Sequence, residues 1–124
     1  MEGCVAHILL AEDDGTGRGL IARALTADGH HVTEAENGQV ALQHLTSAAT
    51  PFNILVTDVE MPELDGIALA QRALGANPAL KVLLISGFAG GTERAAGLVA
   101  QGARLLMKPA PLEKVRAEVR RLLA

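Results

Sequence analysis

Ile54-Leu55-Val56-Thr57-Asp58-Val59-Glu60-Met61-Pro62-Glu63-Leu64-Asp65-Gly66 decides the reading of this chain. A short apolar, β-branched run leads into a single aspartate, and a proline-containing turn closes on Asp65-Gly66 before a helical pattern resumes. Such a run reads as a buried strand. Asp58 then stands at the strand's carboxyl end, where open α/β sheets gather their chemistry.

The flanking segments repeat that arrangement. Upstream, Ile8 to Ala11 reads as a first strand ending in Glu12-Asp13-Asp14-Gly15, and Leu20, Ile21, Ala24 and Leu25 follow at helical spacing until Asp28-Gly29. His31 to Ala35 alternates as a second strand, and Asn37-Gly38 introduces a short helix carrying Val40, Ala41, Leu42 and Leu45. The third strand is expected over Phe52 to Thr57, after Pro51. Ile67, Ala70 and Leu74 mark the next helix, closed by Gly75 and Asn77-Pro78.

Lys81 to Ser86 reads as a fourth strand, Gly87 to Gly91 as a flexible loop, and Thr92 as the N-cap of a glycine-weakened helix. Ala103 to Met107 is a short fifth strand before Lys108-Pro109. Leu112, Val115, Val119 and Leu122 then form one stripe of a last helix, with Glu113, Lys114, Arg116, Glu118 and Arg120 away from it. The sum is an α/β chain of five βα units. It predicts a doubly wound five-stranded parallel sheet, flavodoxin-like, in the order 2-1-3-4-5.

Composition narrows the function. The 124 residues are expected to make one domain over 1–124 with no output domain; 49% are hydrophobic and only 2% aromatic, which calls for an aliphatic core. A net charge of −3 argues against unaided nucleic-acid binding. The single cysteine, Cys4, has no internal disulfide partner, and neither a signal peptide nor a bilayer-length apolar run is present, so a cytoplasmic setting away from membranes is expected. His7, His30, His31 and His44 show no ligand spacing and read as structural or exposed.

The predicted topology gathers Glu12, Asp13, Asp58, Ser86 and Lys108 at one edge of the sheet. Crowded carboxylates repel unless a cation intervenes, and a hard divalent ion such as Mg²⁺ suits oxygen ligands. Lysine and hydroxyl groups opposite an aspartate suit a phosphoryl group, whose transfer depends on positioning and charge neutralisation. Asp14, the remaining acid, fits a helix N-terminus better than a metal.

In this ordered set the chain resembles the receiver domain of two-component response regulators. The resemblance rests on Glu12-Asp13, on Asp58 with Met61-Pro62 and Asp65-Gly66, on Ser86, and on Lys108-Pro109. The spacing agrees: about 45 positions separate Asp13 from Asp58, about 28 lead on to Ser86 and about 22 more to Lys108. Ile8 to Asp14 and Leu84 to Ala89 look closest to CheY-like stand-alone regulators, CpdR-like ones among them, and to hybrid-kinase receivers.

The resemblance implies that Asp58 accepts a phosphoryl group from a histidine kinase or histidine phosphotransfer protein. It implies that Glu12, Asp13, Asp58 and the Glu60 backbone carbonyl hold Mg²⁺, and that Ser86 and Lys108 contact the phosphoryl oxygens. Pro109 suits a cis peptide. Intrinsic autophosphorylation and autodephosphorylation would be the only chemistry, with Glu60 and Phe88 flanking the site and able to tune hydrolysis. A downstream protein of unknown identity would dock on the face formed by helix four, strand five and helix five.

Leu105 and Ala110 depart from the family, which often carries aromatics at both positions. A signal would then run through Ser86, the Gly87–Gly91 loop and the fourth helix as the mobile segment. The departures also keep open a phosphorylation-independent scaffold. Glu12-Asp13-Asp14-Gly15-Thr16 resembles the loop of haloacid-dehalogenase-type phosphatases, but it places Glu12 where the nucleophile belongs.

Overall fold

A computed structural model describes residues 5–87 and 89–124. Cys4 and Phe88 lie outside the described residues. The elements alternate from end to end: β1 (His7–Ala11), α1 (Gly15–Ala27), β2 (His31–Ala35), α2 (Gly38–Ser47), β3 (Ile54–Asp58), α3 (Gly66–Ala76), β4 (Lys81–Ser86), α4 (Ala89–Ala100), β5 (Arg104–Met107) and α5 (Leu112–Leu123). The strands form one five-stranded sheet in the order β2-β1-β3-β4-β5, and every neighbouring pair is parallel. This is the topology expected from the sequence.

The period of two along each strand divides the core between the two faces. Leu9, Ala11, Leu55, Val82 and Leu84 face one way and pack with Leu69, Ala70 and Ala73 of α3 and Ala95 and Leu98 of α4. Ile8, Leu10, Ile54, Val56, Leu83 and Ile85 face the other way, against Ala22 and Leu25 of α1 and Val115 and Val119 of α5. Central strands buried on both faces explain why they read as unbroken apolar runs. With so few aromatics, small alanines let the helices settle close to the sheet.

Helix starts are fixed by acids and amides. Asp14, Asn37 and Asp65 cap α1, α2 and α3, accepting hydrogen bonds from the backbone N–H groups of Gly17, Val40 and Ala68. The N-terminal role expected of Asp14 is therefore the one it has. Gly29 and Gly102, with φ of 95° and 107°, turn the chain after α1 and α4.

β1 and β5 differ from the sequence reading by one residue at their starts and β3 by one at its end; two starts differ by more. β3 begins at Ile54, not Phe52. The Phe52 ring stacks on the His7 ring with centroids 4.1 Å apart, and the Asn53 side chain accepts from the His7 N–H at 2.7 Å. Asn53 still exchanges backbone hydrogen bonds with His7 and Lys81, so the chain enters the strand through these contacts. The second difference is α4, which already includes Ala89 to Gly91, so Thr92 lies within the helix and is not its N-cap. Its hydroxyl instead donates to Met107 Sδ at 3.6 Å. The reason is close packing: a Cβ on Gly91 would lie 2.1 Å from Ser86 Oγ, so glycine lets the first turn of α4 rest directly on the end of β4.

Candidate functional site: an acidic pocket at the carboxyl edge of the sheet

β1 and β3 are hydrogen-bonded neighbours with Ala11 opposite Thr57, so the residues that follow, Glu12 and Asp58, leave the sheet side by side. Glu12, Asp13 and Asp58 each present a carboxylate oxygen, all within 4.8 Å of one another. Asp58 is 3% exposed and Glu12 7%, while Asp13 is open to solvent. Burial is the main reason the Glu12 carboxyl is pushed up to about 7. The Asp14 N–H donating to it works the other way, and the nearby Asp58 and Asp13 carboxyls add to the rise.

Lys108, just beyond β5, brings the compensating charge. Its Nζ donates to Asp58 Oδ2 at 3.0 Å and lies 3.9 Å from Glu12 Oε1. Partial burial works against the ammonium, but the hydrogen bond to Asp58 and the charges of Asp58, Glu12 and Glu60 outweigh it, so its pKa lies above the ordinary lysine value. The Lys108 backbone N–H donates to Ser86 O at 2.7 Å, tying the residue to the end of β4. The Lys108–Pro109 peptide is cis, as the resemblance implied.

The turn from Val59 to Gly66 delivers the rest. A Cβ on Gly66 would lie 2.2 Å from the Asp58 carbonyl oxygen, so only glycine allows the turn to fold back under the aspartate. Glu63 takes a left-handed φ of 68° to complete it. The Glu60 N–H then points to Asp58 Oδ1 at 3.3 Å. Asp65, besides capping α3, pairs with Arg94 of α4. Desolvation opposes its ionisation, yet the Ala68 amide and Arg94 together hold its carboxyl below the ordinary aspartate range.

Ser86 is buried at the end of β4, within the same cluster. Its hydroxyl donates to Glu60 Oε2 at 2.7 Å, and the Gly87 N–H donates to Glu60 Oε1 at 2.7 Å. What sequence reasoning missed is that the Glu60 side chain binds Ser86 and Gly87; it had named the residue for its carbonyl and for flanking the site. The missing information is tertiary: Glu60 and Ser86 are 26 positions apart and meet because β3 and β4 are adjacent. Arg18, which donates to the Glu12 carbonyl oxygen at 2.8 Å and to Glu34 at 3.3 Å, was likewise not foreseen.

As a donor set, the three converging carboxylates suit a hard cation of Mg²⁺ type, which uses few protein carboxylates and completes its shell with water and phosphate oxygens. The raised pKa of Glu12 reflects its burial first, and then the Asp58 and Asp13 carboxyls crowded beside it.

This topology, with acids at the ends of β1 and β3 and a lysine after β5, is that of a receiver domain. Residues 8–120 match the response regulator receiver domain family, and the chain belongs to it. It is 40% identical over 117 residues to the response regulator receiver protein CpdR of Brucella abortus, covering 94% of this chain and 96% of that one. It is 35% identical over 117 residues to the response regulator MprA of Mycobacterium tuberculosis, but spans 94% of itself and only 50% of MprA. Among solved structures, a response regulator receiver domain protein from Clostridium thermocellum superposes with a TM-score of 0.86 at 24% identity, covering 95% of this chain and 94% of the other, which speaks to the fold. Receivers of this family bind Mg²⁺ at an acidic pocket and are phosphorylated by kinases or phosphotransfer proteins.

Proposed function

We propose that Asp58 is the phosphoryl acceptor of a two-component or phosphorelay pathway, loaded by a histidine kinase or a histidine phosphotransfer protein. The observation that carries this reading is Lys108 Nζ on Asp58 Oδ2 at 3.0 Å beside the converging Glu12 and Asp13 carboxylates. Asp58 is buried, with the solvent-open Asp13 beside it at the edge of the sheet.

In this reading an Asp58 carboxylate oxygen attacks phosphorus. The new oxygen–phosphorus bond forms as the bond to the donor's imidazole nitrogen breaks, and that nitrogen keeps the electron pair. Lys108 moves its ammonium from the free carboxylate onto the phosphoryl oxygens, and the Ser86 hydroxyl donates to another of them. Glu12, Asp13, Asp58 and the Glu60 carbonyl would hold Mg²⁺, which when bound neutralises charge on the carboxylates and the transferring phosphoryl oxygens. Water attacking the same phosphorus later releases inorganic phosphate and regenerates Asp58. These two intrinsic steps are the only chemistry assigned to the chain.

The outlet assigned here is the face formed by α4, β5 and α5. There Val99 and Met107 stand 43% and 42% exposed, Leu105 is half-buried between them and the core, and Arg104 pairs with Glu118 at 2.6 Å. Such an apolar centre with a charged border fits a protein partner.

Incubation with acetyl phosphate and magnesium, read on phosphate-affinity gels, tests the acceptor. The expected result is a shifted band that needs magnesium, is lost in Asp58→Asn, and is strongly weakened in Asp13→Asn. A shifted band that survives in Asp58→Asn would reject the assignment.

A further inference from the structure

The Glu60 carboxylate already holds two hydrogen-bond donors at the mouth of the acidic pocket, with Ser86 Oγ and Gly87 N each 2.7 Å from one of its oxygens. We infer that Glu60 is an internal competing anion, seated on the donors that an incoming phosphoryl group needs and displaced from them when Asp58 is loaded. The inference rests on the phosphoacceptor reading of Asp58 and adds a residue that sets how readily the site accepts the anion.

Three features support it. First, the contact is bidentate: the two carboxylate oxygens span a hydroxyl and an amide, as two oxygens of a phosphoryl group would. Second, the geometry is local. Glu60 follows Asp58 by two positions, and its own N–H points to Asp58 Oδ1 at 3.3 Å, so its side chain leaves the same turn that carries the acceptor. Third, the seat is crowded. A Cβ on Gly91 would lie 2.1 Å from Ser86 Oγ and 3.4 Å from Glu60 Oε2, so the first turn of α4 leaves little room beside the carboxylate. Two anions cannot share these donors, because each donor N–H or O–H serves one of them at a time and the two like charges repel.

Displacement therefore has a structural consequence. When Glu60 leaves, the Ser86 hydroxyl turns to the phosphoryl group and the packing against Gly91 changes. α4 is also tied back to the turn through Arg94 and Asp65, so the turn and the helix move as linked parts. This supplies a route from the site to α4 that needs no aromatic side chain at Leu105.

Titration with beryllium fluoride in the presence of magnesium, followed by backbone amide NMR, tests the inference. Glu60→Gln keeps the shape but loses one acceptor oxygen and the charge, and is expected to bind the phosphoryl mimic roughly tenfold more tightly than the parent chain. Glu63→Gln, which removes an exposed acid from the same turn, is the charge control and is expected to change affinity little. In the parent chain the Gly87 amide resonance should move on titration toward the environment of a different acceptor. In Glu60→Gln it should start displaced before any beryllium fluoride is added. Equal or weaker binding by Glu60→Gln, with the parent chain still binding, would overturn the inference and leave Asp58 as acceptor. Equal tightening by Glu63→Gln would also overturn it, by assigning the effect to net charge. If the parent chain and Glu60→Gln both fail to bind, the acceptor reading falls and this inference with it.

Discussion

Gly66 and His30 illustrate how single residues hold the site and the core in place. At Gly66 a methyl group would meet the Asp58 carbonyl oxygen at 2.2 Å, and that oxygen is backbone that cannot swing aside. Gly66→Ala is expected to lower stability by about 1–3 kcal/mol in urea unfolding, the range for overpacked positions, and to slow phosphorylation because the Asp58 turn must shift. His30 is buried, and its Nδ1 accepts from the Ala6 N–H at 3.0 Å, a role open only to the neutral ring. Burial lowers its pKa below the ordinary 6.5, although Asp28 acts in the opposite direction.

The sign of the pH effect follows. Above 6.5 both folded and unfolded chains carry a neutral His30; below it the unfolded chain takes up a proton before the folded one does. His30 therefore makes stability decline as pH falls through 6.5 toward its folded pKa. Glu12 has the reverse slope, because its folded pKa of about 7 lies above the ordinary 4.5 and stability declines as pH rises between them. Unfolding of the parent chain and His30→Gln across this range separates the two: the variant should lose the acid-side decline attributable to His30. An unchanged pH profile would contradict the neutral, buried role. At this scale the sequence was informative wherever chemistry is written in residue type and order. Asp58, Glu12, Asp13 and Lys108 come together as expected, whereas the Ser86–Glu60 contact depends on side-chain directions that no spacing rule supplies.

Among the elements, α1 shows how burial separates two leucines that look alike in sequence. Leu25 is fully buried in the cluster shared with α5, and Leu20 is 47% exposed beside the groove near Lys108. Leu25→Ala is expected to cost about 2–5 kcal/mol, whereas Leu20→Ala should stay within about 0.5 kcal/mol, as measured by denaturant midpoints. Comparable losses would mean that α1 packs differently. Most element positions were legible because the strands are largely aliphatic runs and α1, α2 and α3 start at polar caps. β3 and α4 were misjudged at their first residues for opposite reasons. Phe52 is apolar because it is buried in the core and stacked on His7, not because it pairs within the strand. The glycines at the start of α4 read as loop, but Gly91 provides the clearance that lets the helix begin against Ser86.

Over the whole molecule, five parallel strands in the order β2-β1-β3-β4-β5 bring groups from the ends of β1, β3, β4 and β5 to one edge. That convergence follows from topology, which is why alternation of βα units was enough to anticipate it. Function enters at the same edge: a pocket with an excess of carboxylate charge, one lysine, and a turn whose glutamate occupies the adjacent donors. The central claim is that Asp58 becomes an acyl phosphate. Its most direct measurement is to treat the chain with acetyl phosphate and magnesium, reduce it with borohydride, and sequence the peptides by mass spectrometry. Reduction of a phosphorylated aspartate gives homoserine, and the account predicts homoserine at position 58 alone. Homoserine at another acid, or none at 58 in a chain that gained phosphate, would contradict it.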